Sequence, residues 1–323
     1  MAFGMVNSLA TFVRLMDMVL DKVRDCCFNY VDDIVIYSNS LEEHVEHLRR
    51  VLQAIGDAGL TINPEKTQMA RGHIKFLGFI VGSGEKGIDP EKAEVINKLR
   101  VPRTKKEIRG FIGFTNFYRA FIPSYAQLIA PLTDLLKATL PELAEITTEH
   151  INIFERVQKI LFARPILRAP HFDRPFIVQT DSSYGAAAGI LAQLDESNQI
   201  SPIAFVSKKF SESEKRYSVA EKETFAIVFT VVKFKFYLLA NAFTLYTDHK
   251  GLCVLNDGVY KNDRIARWSL ILQNFRFEIV YLCGKDNIVS DYLSRYVDYS
   301  DSPEGDKVTE GITKKAEDID PLI

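Results

Sequence analysis

The sequence has few cysteines and no long apolar run, and these absences exclude several classes of protein. Its 323 residues include four cysteines, with no C-x-x-C pair and no accompanying histidine cluster. Neither a zinc module nor a secreted disulfide framework is indicated, so we expect reduced thiols. The apolar stretch 225–232 stops at Lys233, too short for a membrane span, and no basic segment with an apolar core opens the chain. We therefore expect a protein that acts inside the cell, is not secreted and has no membrane partner.

A large excess of charge of either sign is also missing. The formal net charge is -2, and residues 296–323 alone hold eight acids against three lysines, or -5, which leaves +3 for the rest. The composition of this acidic, proline-containing tail predicts that it is disordered. A set of cations in the second half could form a surface that follows a nucleic-acid backbone, and a solvated face is the alternative. These cations are Lys208, Lys209, Lys215, Arg216, Lys233 and Lys235.

Two adjacent carboxylates interrupt an apolar segment near the start of the chain. Asp32 and Asp33 follow Tyr30-Val31, with apolar arms at 26–28 and 34–37 on either side. This pattern predicts a hairpin that presents both acids at its tip. Adjacent acids repel each other, and a divalent metal would remove the repulsion. A solvated acidic turn is the alternative for the pair taken alone.

The segments after this pair extend the pattern. Residues 41–56 carry apolar residues at helical spacing, which predicts an amphipathic helix. The run Ala58-Gly59-Leu60-Thr61-Ile62-Asn63-Pro64-Glu65-Lys66 follows, and residues 74–81 predict a strand whose internal Gly78 indicates close approach of another backbone.

Together, YVDD, the A-G-L-x-x-N-x-x-K run and F-L-G-F resemble the reverse transcriptase of gypsy-type long-terminal-repeat retrotransposons. The resemblance implies a polymerase palm in which Asp32 and Asp33 bind metal beside Tyr30. It implies that Phe76, Leu77 and Gly78 grip the primer strand. It also implies that the segment with Phe3, Gly4 and Asn7 positions the template and the nucleotide, although Ser8-Leu9 depart from the family's small residue and proline.

The family's other metal-binding aspartate precedes this positioning segment, and two-metal phosphoryl transfer needs carboxylates from more than one strand. The sequence begins two residues before Phe3. We therefore expect that this chain alone does not polymerise DNA, and that dNTPs are partners only where the missing palm and fingers are supplied.

A helical region separates this half from the next. Thr104 is a suitable N-cap for a helix that continues to about Arg119. In gypsy-type elements a similar run forms the thumb and connection. Its aromatic residues, interleaved with Arg109 and Arg119, favour a packed helical core over nucleic-acid contact. Residues 141–165 are predicted as a linker, because the acidic stretch 138–150 lacks clear periodicity.

The second half alternates predicted strands and helices, and two strands end in an acid. Asp181 ends a strand that begins near residue 175, and Asp248 ends a strand that begins at residue 243. Glu221 and Glu223 lie near the start of a predicted helix over 219–239, and Asp291 lies in a predicted last helix. This order of elements predicts a mixed sheet flanked by helices.

T-D-S-S, Y-S-V-A-E-K-E, Y-T-D-H-K and N-I-V-S-D-Y-L-S-R resemble the ribonuclease H domain of the same retroelements. The resemblance implies that Asp181, Glu223, Asp248 and Asp291 are the catalytic, metal-binding carboxylates, with Glu223 preferred because it follows Lys222. Two Mg²⁺ ions, or Mn²⁺, would be held by these acids. The implied partners are RNA/DNA hybrids and primer-template nucleic acid. Such a hybrid is recognised through the 2′-hydroxyls in its wide minor groove. The implied location is cytoplasmic, in virus-like particles, or nuclear.

The expected fold class is α/β (α+β), with a partial polymerase palm and helical thumb followed by a ribonuclease H-like, five-stranded mixed sheet. The predicted domains are a partial palm over 1–83, a thumb and connection over 84–140, the linker over 141–165, a ribonuclease H-like domain over 166–295, and the tail over 296–323.

Three functions agree with the sequence. The first is an active ribonuclease H attached to a partial reverse transcriptase. The second is a working reverse transcriptase whose fingers come from a longer precursor. The third is a transposon-derived remnant that binds nucleic acid or a partner without catalysis.

Overall fold

The structure of the protein is a computed structural model that describes residues 7–143, 145–164, 166–197, 199–249 and 262–281. Phe3, Gly4, Asp291 and the predicted disordered tail 296–323 lie outside the described residues. The chain divides into two compact units, residues 1–74 and 75–323.

The first unit packs two helices and a hairpin around a small apolar core. Its elements are α1 (Ser8–Leu20), β1 (Cys27–Tyr30), β2 (Asp33–Ile36) and α2 (Leu41–Asp57). Helix α2 begins where Ser40 accepts a hydrogen bond from the Glu43 amide, at 3.2 Å. Its buried residues Val51 and Ile55 lie one turn apart and pack in a core with Met16, Leu20, Cys26 and Cys27. The predicted helix over 41–56 is confirmed.

The predicted hairpin is also present. Strands β1 and β2 pair antiparallel, with Tyr30 opposite Asp33, so that Val31 and Asp32 form the turn. Val31 has a φ of 57°. A left-handed backbone is uncommon for a β-branched residue, so the turn geometry is imposed by the closed hairpin. The two acids lie at its exposed tip.

The second unit contains most of the described helices and two sheets, the first of which begins two residues before the unit's first residue. Its four-stranded sheet has the order β3-β4-β5-β6 and its five-stranded sheet the order β11-β10-β7-β8-β9. The strands are β3 (His73–Phe76), β4 (Phe79–Gly82), β5 (Glu85–Ile88), β6 (Leu167–Arg168), β7 (Phe176–Ser182), β8 (Ala186–Leu194), β9 (Ile200–Lys209), β10 (Phe243–Thr247) and β11 (Phe277–Tyr281). The helices are α3 (Pro90–Asn97), α4 (Lys105–Phe117), α5 (Tyr125–Leu128), α6 (Ala130–Asp134), α7 (Thr148–Phe162), α8 (Val219–Lys233), α9 (Lys235–Leu238) and α10 (Asp263–Leu272).

The single strand predicted over 74–81 is wrong, because the segment forms two strands. Leu77 and Gly78 both have positive φ, 49° and 80°, and make a tight turn between β3 and β4. Glycine adopts this backbone without strain. The ring of Phe117 also lies 3.4 Å from the position of an added Gly78 Cβ, so the close neighbour is a side chain.

The linker prediction misses a helix. Helix α7 occupies Thr148–Phe162, inside the segment 141–165, and packs against α3. Its buried residues recur at helical spacing, which is the apolar face that a packed helix requires. They are Ile153, Phe154, Val157, Ile160 and Leu161. The acidic residues and Pro141 that precede the helix conceal this periodicity in the sequence.

The five-stranded sheet has the predicted mixed arrangement. Strands β7, β8 and β9 pair antiparallel, whereas β10 lies parallel to β7 and β11 lies parallel to β10. The carboxyl ends of β7 and β10 therefore lie at the same edge of the sheet, which places the residues after them side by side.

Helix α8 lies very close to one face of this sheet. A Cβ added at Gly189 of β8 would lie 2.2 Å from Thr230 Oγ1 of α8. Only glycine leaves room for this approach. The other face, with Ile190 and Phe205, shares a core with residues 118–132, so the helical connection and the sheet form one packed body within this unit.

Candidate active site

Three predicted acids meet at the edge of the five-stranded sheet. One carboxylate oxygen from each of Asp181, Glu223 and Asp248 lies within 4.8 Å of the other two. Asp181 comes from the end of β7, Asp248 follows β10, and Glu223 comes from the second turn of α8. Asp291, the fourth predicted acid, lies outside the described residues.

The two glutamates of α8 have different surroundings. Glu221 forms a capping box with Ser218 and also accepts hydrogen bonds from Asn262, at 3.0 Å, and Arg264, at 2.6 Å. These contacts join the start of α8 to α10. Glu221 is therefore occupied by structural contacts, whereas Glu223 faces the two aspartates, in agreement with the preference for Glu223.

Glu223 is 5% exposed, and its two oxygens differ in their partners. Ser182 donates a short hydrogen bond from its hydroxyl to Oε1. Oε2 is buried and has no hydrogen-bond partner among the described residues. The sequence analysis did not single out Ser182. The alternation of side chains along a strand could have identified it, because Ser182 lies on the same face of β7 as Val178. Val178 packs in the core between the sheet and α8.

Burial, together with neighbouring acids, raises the pKa of Glu223 and of Asp181. Burial is the largest cause for Glu223, and Asp248 and Asp181 add to it, so that its pKa rises from 4.5 to about 7 despite the opposing hydrogen bond from Ser182. Asp181 is exposed overall, but its carboxyl group is partly surrounded by protein atoms. This burial is the main cause that raises its pKa, and the negative charge of Asp248 adds to it. Both acids are therefore disfavoured as anions unless a cation is present.

The donor set fits a divalent cation. Three carboxylates supply hard oxygen ligands, which Mg²⁺ and Mn²⁺ prefer. No lysine or arginine within the described ranges forms an ion pair with any of the three, and Glu223 Oε2 has an unused acceptor site. Burial of an acceptor without a partner costs free energy, and a bound cation would remove that cost.

We expect the metal-free protein to lose stability as pH rises from about 5 to 8, relative to a Glu223→Gln variant. The folded pKa of Glu223 exceeds its unfolded value of 4.5, so the folded state binds more protons in this window and raising pH favours unfolding. The difference is at most about 3 kcal/mol. Thermal unfolding of both proteins in EDTA across this range measures it. Parallel stability curves would contradict the expectation.

The predicted palm residues lie in both units. Asp32 and Asp33 are exposed at the hairpin tip of the first unit, and Tyr30 beside them is 55% exposed. Asn7 precedes α1 and is exposed. These residues have the accessibility that contact with a large ligand requires.

Phe76, Leu77 and Gly78 belong to the turn between β3 and β4 of the second unit. The backbone carbonyl of Gly78 accepts a hydrogen bond from the buried Tyr118 hydroxyl, at 3.3 Å. Phe117, the last residue of α4, and the following Tyr118 thus pack against the turn that is predicted to grip the primer.

Several of the cations considered as a nucleic-acid surface are paired with acids. Lys208 contacts Glu214, at 2.6 Å, Lys209 contacts Asp134, at 2.9 Å, and Lys215 contacts Glu212, at 2.7 Å. Paired lysines bind phosphate less readily, because the partner carboxylate must first be displaced. The continuous basic surface considered for the second half is therefore weaker than the sequence suggests.

Two segments of the chain match known protein families. Residues 1–81 match the family described as reverse transcriptase (RNA-dependent DNA polymerase). Residues 171–275, which contain Asp181, Glu223 and Asp248, match the RNase H-like domain found in reverse transcriptase.

Similar curated proteins are polyproteins of transposons. The chain is 36% identical over 296 residues to the retrovirus-related Pol polyprotein from transposon 297 of Drosophila melanogaster, covering 91% of this chain and 27% of that protein. It is 34% identical to the transposon Tf2-3 polyprotein of Schizosaccharomyces pombe, covering 98% of this chain and 23% of that protein. The chain thus spans about a quarter of the length of these relatives. The resemblance to retrotransposon Pol polyproteins is confirmed.

Solved structures share the fold. The foamy viral protease-reverse transcriptase dRH in complex with double-stranded DNA has a TM-score of 0.74 at 25% identity, covering 86% of this chain and 50% of that one. The foamy viral protease-reverse transcriptase in complex with an RNA/DNA hybrid has a TM-score of 0.72 at 24% identity, covering 89% and 39%. The predicted α/β class is confirmed. Within the described ranges, every helix is too short or too polar to cross a membrane.

Proposed function

Since this chain joins a reverse transcriptase segment to a ribonuclease H-like segment, as transposon Pol polyproteins do, we propose that its second unit hydrolyses the RNA strand of RNA/DNA hybrids. The observation that carries the proposal is the cluster of Asp181, Glu223 and Asp248, whose ligand oxygens lie within 4.8 Å of one another. This cluster lies inside the segment that matches the RNase H-like domain.

The proposed chemistry depends on two divalent cations, with Mg²⁺ expected in the cell and Mn²⁺ as a substitute. Bound cations would activate a water molecule and stabilise the departing 3′ oxygen of the RNA strand. Asp181, Glu223 and Asp248 would hold them, with Asp291 as the fourth ligand. The buried position of Glu223 excludes water from one side of the site, which strengthens the attraction between its carboxylate and a cation.

The proposed substrate is a nucleic-acid hybrid recognised by shape. A hybrid offers 2′-hydroxyls across a wide minor groove, so backbone contacts can select RNA on the cleaved strand without reading its sequence. Related foamy viral reverse transcriptases have been solved with double-stranded DNA and with an RNA/DNA hybrid, which supports nucleic acid as the partner of this chain.

A substrate panel tests the proposed function. We expect the purified chain in Mg²⁺ to cut the RNA strand of a labelled hybrid and to leave single-stranded RNA, double-stranded RNA and double-stranded DNA of the same sequence intact. EDTA should stop the reaction, because the carboxylates need a cation to act. Equal cutting of hybrid and double-stranded RNA would contradict selection of a hybrid.

The hairpin of the first unit favours a second function, a contribution to RNA-directed DNA synthesis, although we expect no synthesis by this chain alone. Two exposed aspartates at its tip, inside the segment that matches reverse transcriptase, are suited to bind the cations of phosphoryl transfer. Template-directed extension of a primer with dNTPs, lost in Asp33→Asn, would establish this activity. A chain that binds the primer-template without extending it would leave the nuclease as its activity.

A further inference from the structure

Ser182 occupies a special position beside the acid cluster. It is the last residue of β7 and directly follows Asp181. Neighbouring residues of a strand point to opposite faces, so Ser182 faces α8 whereas Asp181 does not. Its hydroxyl donates to Oε1 of Glu223, across the gap between the sheet and the helix.

From this contact we propose that Ser182 is a positioning residue, which holds the Glu223 carboxylate in the orientation that binds a divalent cation. The inference rests on the proposed function and extends it to a residue that does not itself bind the metal. A hydrogen bond to one oxygen fixes the rotation of the carboxylate. The other oxygen, Oε2, is buried and has no partner within the described part of the chain, so it remains available for a cation.

The position of Glu223 explains why such support matters. Its side chain is 5% exposed and extends from α8 towards Asp181 and Asp248. Asp181 lies in β7, and Asp248 directly follows β10. Two carboxylates of the sheet repel that of Glu223 when no metal is bound, and rotation away from them would lower the repulsion. The Ser182 hydroxyl opposes this rotation.

Isosteric substitutions separate the hydroxyl from the volume of the side chain. Ser182→Thr keeps the hydroxyl and adds a methyl group. Ser182→Val has nearly the same shape as the Thr variant but carries a second methyl group in place of the hydroxyl. Both residues are favoured in strands, so both variants are expected to fold. The backbone N–H of Ser182, which also interacts with Glu223, is unchanged in each of them. Ser182→Ala serves as a further hydroxyl-free variant if Ser182→Val does not fold.

Binding of Mn²⁺ to the whole chain, measured by electron paramagnetic resonance of the free ion, provides a readout that does not depend on activity. We expect Ser182→Val to weaken Mn²⁺ binding about tenfold and Ser182→Thr to bind within about twofold of wild type, because partners behind metal ligands typically change affinity 10–100-fold. The Mg²⁺ concentration that gives half-maximal hybrid cleavage should rise by a similar factor in Ser182→Val. Ser201→Ala is the matched control, since Ser201 lies in β9 of the same sheet and its hydroxyl donates to Asp195, directly after β8, at 3.3 Å.

Wild-type Mn²⁺ affinity in the folded Ser182→Val variant would overturn the inference, as would equal weakening in the Thr and Val variants. Either result, obtained with a wild-type chain that cuts hybrids, would leave the proposed function intact. A wild-type chain that neither binds Mn²⁺ nor cuts hybrids would overturn the proposed function and this inference together.

Discussion

Replacement of Asp181 by Asn is expected to lower hybrid cleavage by more than about 100-fold. Even residues that only support metal ligands change activity by 10–100-fold, and Asp181 is placed to be a ligand itself. The amide keeps the size of the side chain but removes the negative charge that a cation requires. Initial rates of RNA cleavage in saturating Mg²⁺ measure the effect.

The same substitution should not unfold the protein. Burial and the charge of Asp248 raise the pKa of Asp181, which means that its negative charge destabilises the metal-free fold. Removal of that charge should therefore not unfold the protein. Asp173→Asn, at an exposed position in the turn before β7, is the matched control and should retain full activity. Cleavage by Asp181→Asn at the rate of this control would exclude Asp181 from the reaction.

Replacement of Gly189 by Ala is expected to destabilise the second unit by about 3 kcal/mol or more. The added Cβ would lie 2.2 Å from Thr230 Oγ1 and 2.8 Å from Thr230 Cβ, so α8 must move away from the sheet. Overpacking of a filled core typically costs about 1–3 kcal/mol and sometimes more. Thermal or urea unfolding followed by circular dichroism measures the change.

A second substitution distinguishes this clash from a general effect of losing glycine. Thr230→Ala removes the two nearest atoms, so the double variant should recover part of the lost free energy, as a double-mutant cycle would reveal. Gly87→Ala in β5 is the control, because, apart from its chain neighbours, no atom of the described residues lies within 4 Å of its added Cβ. Additive effects at 189 and 230 would contradict direct contact between them.

Those features of the fold that depend on local pattern were predictable from the sequence. The helix over 41–57 has an N-cap and regular apolar spacing, and the acids at 181 and 248 follow apolar strands. Parallel pairing of β7 and β10 then brings these two acids to one edge of the sheet. Their meeting with Glu223 agrees with the roles implied by the family resemblance.

Features that depend on how elements approach each other were not predictable. Helix α7 shows its apolar face only from Ile153 onward, after an acidic segment that resembles a linker. The turn at Leu77-Gly78 requires two residues of positive φ, and a leucine gives no signal of such a backbone. The hydrogen bond from Ser182 to Glu223 joins residues 41 positions apart, and only the packing of α8 on the sheet brings them together.

The alternative of a non-catalytic remnant makes a different prediction for the acid cluster. A remnant has no need of a cation at this position, and loss of the acids would then leave its binding to nucleic acid unchanged. Oε2 of Glu223 is buried and has no hydrogen-bond partner among the residues that the structure describes. This observation argues for the catalytic account, because an unused acceptor of this kind lowers stability without a bound cation.

Incubation of the wild-type chain with an RNA/DNA hybrid, labelled at the 5′ end of the RNA, tests the central claim most directly. The account predicts RNA fragments that appear with Mg²⁺ and are absent with EDTA. Intact RNA, after incubation with protein shown to be folded and bound to the hybrid, would contradict it.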